Sequence, residues 1–445
     1  MTRLSIIGLG KLGLCLAACY AERGFEVLGV DLEQRVVDHV NAGTAPWFEP
    51  GLDELLARHG GKRLRATTSH QRAIDETEVT IVLVATPSNP DGSFSNRFVE
   101  AALRSLGEAF RRSEKSYHLF VISSTVMPGS VEGSFIPILE ETSGRKCGVG
   151  FDVCYDPDFV ALGNVIKGFL RPDLVVIGES SPAAGERVAA LHRQLCENNP
   201  AISRMSIISA EVAKVCLNAY ITLKISFANS VANLCEHLPG ADVDAITRAI
   251  GADRRISPYY FQGGPSYGGT CFPRDTRAYL TLAERLGVQA ELVRAVEQVN
   301  RYQDAHLAAV VREALAAHSA ERRTVGILGL AFTANTPVVT ESPAIKLIPA
   351  LLADDVRVVA YDRLAIDNAR VIFGSAVEYA SSAAACLAEA DVVVLTLRDQ
   401  ELVDALMHYS DGRRRIVVDC WRQLDPQHMP EALTVVALGR YGNKR

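Results

Sequence analysis

The sequence Gly-Leu-Gly-Lys-Leu-Gly at residues 8–13 restricts the possible folds of this chain more than any other feature. It follows an apolar stretch at residues 4–7 that predicts a buried strand, and it precedes an alanine-rich stretch at 14–23 that predicts a helix. A second predicted strand at 27–30 ends at Asp31. This succession predicts the first βαβ unit of a doubly wound parallel sheet.

The spacing of these glycines is typical of a turn that binds a dinucleotide. Gly8 would make the tight turn, Gly10 would let the backbone approach the pyrophosphate, and Gly13 would let the helix pack on the strand. Asp31 is placed to accept a hydrogen bond from a ribose 2′-hydroxyl and would repel a 2′-phosphate. The sequence therefore predicts NAD, rather than NADP, as the cofactor.

A second unusual segment, residues 263–275, reads Gly-Gly-Pro-Ser-Tyr-Gly-Gly-Thr-Cys-Phe-Pro-Arg-Asp. Its four glycines and two prolines exclude a helix or a central strand. Cys271 would thus lie on a stiff loop with Asp275 four residues further on, which is a suitable way to present a nucleophile. Taken alone, the cysteine fits an inert, buried thiol as well.

Composition excludes several classes of protein. The chain has 445 residues, enough for two or three domains, and is 48% hydrophobic and 22% charged with a net charge of −6. These values favour a globular protein and give no reason to expect a nucleic-acid or membrane partner. The first predicted strand leaves no room for a signal peptide, and the ten cysteines form no CxxC pair. We therefore expect a cytoplasmic protein with reduced thiols and no metal.

The order of the predicted elements suggests three domains, at residues 1–200, 201–320 and 321–445. Strand-like runs at 79–85, 119–123, 153–155 and 174–177 complete the first one. After a strand at 205–208, Ser209 is the predicted N-cap of a long helix, with Glu211 in its first turn and its end at Pro239-Gly240. The helix is long enough to run between domains or along a subunit interface.

The third region repeats the pattern of the first without its glycine turn. It opens with a strand at 325–329, a later strand ends at Tyr361-Asp362, and apolar runs follow at 392–396 and 416–419. The sequence thus predicts an α/β protein with two Rossmann-like doubly wound domains, joined by a long central helix. Without the glycine triad, the second α/β domain is expected to bind a different ligand, such as a mononucleotide.

Motifs along the whole chain resemble those of the UDP-glucose/GDP-mannose 6-dehydrogenases. The matching segments lie at 8–13, 49–52, 86–87, 124–126, 157–159, 210–218, 224–227, 267–275, 329–332 and 342–344. The resemblance implies oxidation of the C6 alcohol of a nucleotide sugar to a carboxylate, with two NAD and one cysteine. It also implies a homodimer formed through the central helix and a C-terminal domain that binds the nucleotide.

The chemistry of such a reaction agrees with these residues. A primary alcohol loses four electrons on its way to an acid, so an intermediate must be held between two hydride transfers. A cysteine thiolate can hold it first as a thiohemiacetal and then as a thioester that water cleaves. Lys214 and Asn218, four residues apart on one helix face, could stabilise an oxyanion, although the pair also suits a solvated face.

The resemblance assigns roles residue by residue. The catalytic residues are Cys271, Lys214, Asn218, Asp275, Thr125 and Asp158. Besides the glycines and Asp31, the cofactor-binding residues are Leu12, Arg35, Thr86, Pro87 and Thr125. The substrate-binding residues are Phe159, Lys214, Asn218, Arg255, Tyr267, Gly268, Gly269 and Phe332. Simpler roles stay open for three of them: Asp275 as an ion-pair partner of Arg274 or Arg277, Thr125 as a strand-end hydroxyl, and Arg255 as a surface charge. Arg254 competes with Arg255 for the substrate role.

The sequence departs from the family pattern in two places. Where the family has Asn-Pro-Glu-Phe-Leu-x-Glu-Gly, residues 156–163 read Asp-Pro-Asp-Phe-Val-Ala-Leu-Gly, so Asp158 is shorter and Leu162 replaces a glutamate. Residues 333–341 lack a lysine, two aspartates and an arginine of the family's nucleotide-binding segment. We expect UDP-glucose oxidation to UDP-glucuronate. The alternatives are GDP-mannose, TDP-glucose or a UDP-N-acetylhexosamine, a two-electron oxidation that stops at the aldehyde, or nucleotide-sugar binding without turnover.

Overall fold

The computed structural model describes residues 2–318 and 323–442 of the chain. Two compact units divide these residues, one ending at Cys216 and the other beginning at Leu217. Each unit contains one sheet whose strands alternate with helices, which confirms the predicted α/β class. The predicted boundary at residues 320 and 321 lies outside the described residues, and the one after residue 200 stays a prediction.

In the described part of the first unit, the sheet has the strand order β3-β2-β1-β4-β5-β6-β7-β8. Its strands are β1 (Arg3–Ile7), β2 (Glu26–Val30), β3 (Leu64–Thr67), β4 (Val79–Val82), β5 (His118–Ile122), β6 (Phe151–Tyr155), β7 (Leu174–Glu179) and β8 (Ala201–Met205). The reversal of strand order between β1 and β4 opens a crevice at the carboxyl ends of the strands, where ligands of such sheets bind.

Helices connect these strands. They are α1 (Lys11–Glu22), α2 (Gln34–Ala42), α3 (Leu52–His59), α4 (His70–Glu76), α5 (Arg97–Arg112), α6 (Ile136–Ser143), α7 (Val165–Leu170) and α8 (Pro182–Leu195), with a π-helical turn at Val131–Phe135. The small side chains of α1, buried from Gly13 to Ala21, let this helix pack closely on the sheet.

One strand of the first sheet does not run parallel to its neighbours. β7 pairs with β6 in the antiparallel direction, whereas the sequence predicted a parallel sheet throughout. The chain leaves β6 and reaches β7 through α7, which has only six residues. The connection as a whole, residues 156–173, is as long as a parallel crossover, so the direction of β7 follows from how these elements pack and not from the length of the connection.

The long helix α9 (Ile207–Cys235) follows β8 and has 29 residues. The predicted strand at 205–208 was wrong, because β8 ends at Met205 and the helix begins two residues later. Ser209 is therefore not the N-cap. The hydroxyl of Ser206 accepts from the backbone N–H of Ser209 instead, and buried Ile207 and Ala210 pack into the core of the first unit. The helix ends at Cys235, before the predicted end at Pro239-Gly240.

The second unit continues with helices and then its own sheet. Its further elements are α10 (Val243–Gly251), α11 (Phe272–Arg285), α12 (Glu291–Ala317), β9 (Thr324–Leu328), α13 (Pro343–Ala353), β10 (Arg357–Tyr361), α14 (Ile366–Phe373), β11 (Glu378–Tyr379), α15 (Ala383–Glu389), β12 (Val392–Leu395), α16 (Gln400–Met407), β13 (Arg415–Asp419) and β14 (Leu433–Ala437). Short 3₁₀ turns lie at Gly374–Ala376 and Pro426–His428.

The second sheet has the order β11-β10-β9-β12-β13-β14 within the described residues, and all its pairs are parallel. Counted from its own first strand, this is the same order as in the first six strands of the other unit, so both sheets are doubly wound. Its core is formed by aliphatic side chains such as Ile327, Val358 and Val393, which are buried on the strands.

Candidate active site

The glycine turn between β1 and α1 has the geometry that a close ligand requires. Gly8 has a φ of +92°, and a Cβ there would lie 2.6 Å from the carbonyl oxygen of Leu83. A Cβ on Gly13 would lie 1.9 Å from the Gly8 carbonyl oxygen. Gly10 is exposed and has nothing within 4 Å of its Cβ position. The first and third glycines thus serve the turn and the helix contact, and the second faces open space.

Asp31 follows β2 at the same edge of the sheet. One carboxylate oxygen accepts from the backbone N–H of Leu9 at 2.8 Å, and the other from that of Glu33 at 2.9 Å. These bonds hold the side chain beside the glycine turn. Because each carboxylate oxygen has two lone pairs, a ribose hydroxyl can still be accepted.

The other predicted cofactor residues lie on segments that begin at this carboxyl edge. Thr86 and Pro87 follow β4, and Thr125 follows β5. The hydroxyl of Ser124 accepts from the backbone N–H of Val84 and donates to its carbonyl, at 2.9 and 2.8 Å, and so ties the two segments together. The remaining two residues of this set are Leu12 on α1, which packs against the core, and Arg35 on α2, which is exposed.

Glu211 on α9 plays a larger part than the sequence suggested. It is fully buried, and its two carboxylate oxygens accept from the backbone N–H groups of Gly129 and Val131 at 2.7 and 2.9 Å. Burial raises the pKa of Glu211, while the two amide bonds act in the opposite direction. The carboxylate thereby fixes the segment after Thr125 to the helix that carries Lys214. Glu211 belonged to a matching family segment, but its spacing did not reveal this partner.

Lys214 is buried, at 5% exposure, and contacts the segment between β6 and α7. Its Nζ donates to the backbone carbonyl of Asp158 and lies 4.7 Å from the ring centroid of Phe159. A backbone carbonyl and an aromatic face thus orient this cation. The first unit thus brings together Lys214, Asp158 and Phe159, three of the predicted site residues.

Two buried carboxylates hold the ends of that segment, and sequence reasoning assigned neither of them a role. Glu49 accepts from the backbone N–H groups of Gly163 and Val165 at 3.1 and 2.9 Å. Asp156 accepts from Nε2 of His192, on α8, at 2.8 and 3.0 Å. Burial by itself would lower the pKa of His192, but the carboxylate of Asp156 raises it to about 10.

Cys271 lies in the second unit and is accessible. Of the ten cysteines, all of which the structure describes, it is the exposed one. It immediately precedes α11, and the hydroxyl of Thr270 is 3.6 Å from its Sγ. The N-terminal end of a helix favours negative charge nearby. By contrast, burial raises the pKa of the thiols of Cys154 and Cys386, which makes them poor nucleophiles.

Asp275 is fully buried in the first turn of α11. One of its carboxylate oxygens accepts from the side-chain amide of Asn218 at 2.6 Å, and the other from Nε of Arg274 at 3.0 Å. The structure thus brings Asn218 and Asp275, two of the predicted site residues, together in the second unit. The ion pair with Arg274 is the simpler role considered for Asp275, and the contact with Asn218 adds to it.

The glycines next to Cys271 allow close packing against residues 332–342. A Cβ on Gly268 would lie 2.0 Å from the carbonyl oxygen of Glu341, and one on Gly269 would lie 2.7 Å from the ring of Phe332. The backbone N–H of Gly269 also donates to the carbonyl of Thr340 at 3.0 Å. The loop that carries the thiol is therefore held by the segment that departs from the family pattern.

Tyr267 precedes these glycines and is buried. Its backbone N–H donates to the side-chain oxygen of Asn300 at 2.8 Å, and its carbonyl accepts from the amide of the same side chain at 3.1 Å. Burial raises the pKa of Tyr267 to about 12, so its hydroxyl stays protonated. This residue supports the cysteine loop through its backbone.

Asp362 directly follows β10, as Asp31 directly follows β2. The carboxylate of Asp362, however, already accepts hydrogen bonds from the backbone. It accepts from the backbone N–H groups of Leu330, Ala331, Leu364 and Ala365 at 2.8–3.1 Å. Residues 333–336 line a small cavity beside it. The carboxylate of Asp362 is therefore taken up by the backbone and, unlike that of Asp31, is not left to accept from a ribose hydroxyl.

Arg255 lies after α10, on an exposed turn. Its guanidinium forms an ion pair with Asp253 at 2.6 Å, and its side chain is 87% exposed. Arg254 beside it is exposed too. The structure thus places Arg255 at the surface of the second unit, on a different segment from the loop of Cys271.

Within the described residues, no helix has the length and apolar character that crossing a membrane requires. The described His, Cys, Asp and Glu side chains also form no group of three or more that could hold a metal ion.

The described residues combine a dinucleotide turn that has a carboxylate acceptor, an exposed cysteine and a second doubly wound sheet. These features define a dehydrogenase that uses NAD and a nucleotide-bearing substrate. Family models for the NAD-binding, central and UDP-binding domains of the UDP-glucose/GDP-mannose dehydrogenases match residues 2–196, 208–302 and 326–426. The chain belongs to this family and is an NAD-dependent nucleotide-sugar dehydrogenase.

Similar proteins agree with this assignment over nearly the full length. The chain is 38% identical to the UDP-glucose 6-dehydrogenase AglM of Haloferax volcanii, covering 94% of this chain and 96% of that protein. It is 34% identical to the GDP-mannose 6-dehydrogenase of Pseudomonas putida, covering 93% and 95%. The solved UDP-glucose dehydrogenase of Pyrobaculum islandicum has a TM-score of 0.88 and 33% identity, covering 99% and 98%.

Proposed function

We propose that this enzyme oxidises the C6 alcohol of UDP-glucose to the carboxylate of UDP-glucuronate, with Cys271 as the nucleophile. The observation that carries the proposal is the position of Cys271: it is an exposed thiol at the start of α11, whose first turn carries the buried Asp275, and Asp275 accepts a hydrogen bond from Asn218 of α9. The match to the family's UDP-binding domain and the similarity to a UDP-glucose dehydrogenase support the uridine nucleotide.

The reaction has two oxidations and one hydrolysis. NAD⁺, held at the glycine turn and Asp31, would supply the hydride acceptor for each oxidation. The Cys271 thiolate adds to the aldehyde carbon, the resulting thiohemiacetal loses a hydride and a proton to become a thioester, and water releases the acid and the thiol. Lys214 and Asn218 donate to the oxyanion that forms at C6. Asp275 would orient water and move protons, with Asp158 and Thr125 completing the catalytic set.

The proposed cofactor site is the carboxyl edge of the first sheet. Gly10 leaves room there for a pyrophosphate at the start of α1, and Asp31 would accept from the adenosine ribose. The remaining residues of this proposed set are Gly8, Leu12, Gly13, Arg35, Thr86, Pro87 and Thr125. The proposed substrate contacts are Phe159, Lys214, Asn218, Arg255, Tyr267, Gly268, Gly269 and Phe332.

We also propose that two copies of the chain associate through α9. Tyr220, Phe227 and Leu234 recur every seventh residue on this helix and are 60%, 55% and 63% exposed. A repeat of seven keeps these side chains on one face, and such an exposed apolar stripe is typical of a helix that packs against a partner helix. In a homodimer, the same stripe would serve both subunits.

Three further expectations rest on less direct observations. The domain bounds at 1–200, 201–320 and 321–445 resemble the spans of the three family models. A cytoplasmic location is supported by the ten free thiols, because secreted proteins tend to pair them. Arg255 is proposed to reach the substrate of the partner subunit, since its side chain is exposed.

Substrate and electron count can be tested together. The purified enzyme is given UDP-glucose, UDP-N-acetylhexosamines, TDP-glucose and GDP-mannose, and both the NADH formed and the sugar consumed are measured. We expect the highest kcat/KM with UDP-glucose and two NADH for each acid. The Cys271→Ala variant is the matched control. One NADH with accumulating aldehyde would overturn the cysteine mechanism, and a higher kcat/KM with GDP-mannose would overturn the substrate.

A further inference from the structure

His192 and Asp156 form a buried ion pair in the first unit whose purpose the proposed chemistry does not explain. Nε2 of His192, in the last turn of α8, lies 2.8 and 3.0 Å from the two carboxylate oxygens of Asp156, which directly follows β6. The two side chains are 14% and 10% exposed. Buried ion pairs often contribute little stability compared with apolar side chains of similar size, so another role must be considered.

The chain that leaves Asp156 leads directly to the contacts of Lys214. Two residues later, the carbonyl of Asp158 accepts from Lys214 Nζ, and the next ring, Phe159, lies beside the same ammonium group. The far end of this segment is held by the carboxylate of Glu49. Along the sequence, the residues that contact Lys214 therefore lie between two anchors. The His192–Asp156 pair is the nearer of the two, because Asp156 is only two residues from Asp158.

We propose that His192 and Asp156 are a positioning pair for Lys214: their hydrogen bonds fix the direction in which the chain leaves β6 and hence the place of the Asp158 carbonyl. The inference rests on the proposed role of Lys214 in the reaction. A shift of about 1 Å in a group that stabilises a transition state can lower the rate about 100-fold.

A pair of substitutions at one position tests this proposal. In His192→Gln, the side-chain amide nitrogen can occupy the place of Nε2 and keep the bond to Asp156, whereas in His192→Asn it is one bond too short. We expect His192→Asn to lower kcat about 10- to 100-fold with an unchanged KM for NAD, and His192→Gln to restore most of kcat. Lys214 is 5% exposed, so its chemical acetylation should be slow in the unmodified enzyme and in His192→Gln. Mass spectrometry should show faster acetylation of Lys214 in His192→Asn only.

A second histidine–carboxylate pair in the same unit supplies the control. Nε2 of His59, at the end of α3, lies 2.6 Å from a carboxylate oxygen of Glu22 on α1, and neither residue belongs to the proposed site. His59→Asn is expected to leave kcat and Lys214 acetylation unchanged. If His192→Asn does not fold, Asp156→Ala removes the same bond from the other side and must give the same rise in acetylation.

The positioning role would be overturned if His192→Asn left Lys214 acetylation and kcat unchanged. It would also be overturned if His192→Gln lost as much kcat as His192→Asn. A double-mutant cycle separates this failure from that of the proposed function. If the pair acts through Lys214, His192→Asn costs no further activity in a Lys214→Ala background. If Lys214→Ala itself retains full kcat, the proposed catalytic role of Lys214 fails, while the acetylation experiment still decides whether the pair positions it.

Discussion

At the scale of single residues, access separates Cys271 from the other thiols of the chain. Cys154 and Cys386 are packed in the cores of the two units, where burial raises their pKa and keeps them protonated. Cys271 is exposed, on a loop shaped by glycines whose Cβ positions are occupied by neighbouring atoms. The loop leaves the sulfur open to a substrate while its backbone is held closely.

We predict that Cys271→Ala abolishes acid formation and leaves NAD binding unchanged, because the proposed cofactor residues lie in the other unit. Cys271→Ser should accumulate an ester on the enzyme, since an alkoxide leaves less readily than a thiolate. Product analysis and titration of NAD binding measure the two effects. Full acid production by Cys271→Ala would contradict the assignment.

Leu162 is the second residue with a testable consequence. It packs against the hydrophobic cluster of the first unit, where the family pattern has a glutamate. Loss of a general base typically slows its step about 10²- to 10⁴-fold, so we predict that hydrolysis of the thioester limits turnover. Rapid mixing should show a burst of NADH, and mass spectrometry of the quenched enzyme an acyl adduct on Cys271. Steady acid formation with neither signal would mean that leucine is a neutral replacement.

At the scale of elements, buried carboxylates connect strands and helices to the segments of the candidate site. Glu211 on α9 binds the amides that follow Thr125, and Asp156 after β6 binds His192 on α8. Each carboxylate replaces water lost on burial with hydrogen bonds from a distant element. The positions of these loops therefore depend on titratable groups.

The His192–Asp156 pair predicts a pH dependence of stability. The pKa of His192 is about 10 in the folded chain and about 6.5 in an unfolded one, so folding favours the protonated form. The pair's contribution to the free energy of unfolding is complete below about pH 6.5 and declines as the pH rises toward 10. Urea unfolding should show the largest difference between the unmodified enzyme and His192→Gln at the acid end of this range. A difference that does not vary with pH would contradict the linkage.

At the scale of the whole molecule, the apolar stripe of α9 predicts the oligomeric state. The double variant Phe227→Asp, Leu234→Asp would place charges in the proposed interface. The twofold axis would bring the like charges of both subunits together. We expect the double variant to sediment as a monomer and the unmodified enzyme as a dimer. Val371→Asp, at an exposed apolar residue of α14, is the control and should remain dimeric. A double variant that remains dimeric would exclude this stripe as the interface.

Local patterns predicted those parts of the fold that depend on a few neighbouring residues. The glycine turn predicted the first βαβ unit, because Gly8 has a φ that other residues rarely adopt and Gly13 has no room for a Cβ. The alternation of strand-like apolar runs with helix-like segments likewise predicted both sheets and the α/β class. The loop that leads to Cys271 was recognised in the same way, from its glycines and prolines. The prediction was wrong for residues 272–275, which form the first turn of α11, because a proline is tolerated at the start of a helix.

Tertiary structure decided what depends on residues far apart in the chain. The antiparallel direction of β7 follows from how whole elements pack. The start of α9 combines a local capping bond from Ser206 with the burial of Ile207 and Ala210 in the core of the first unit. The partners of Asp156 and Glu211 lie 36 and about 80 residues away, and the sequence shows only that acidic residues are present. The sequence by itself determined which residues are chemically able to act, because motifs encode side-chain chemistry and local backbone shape. Only the folded chain decided what holds them in place, because burial and long-range hydrogen bonds exist only after packing.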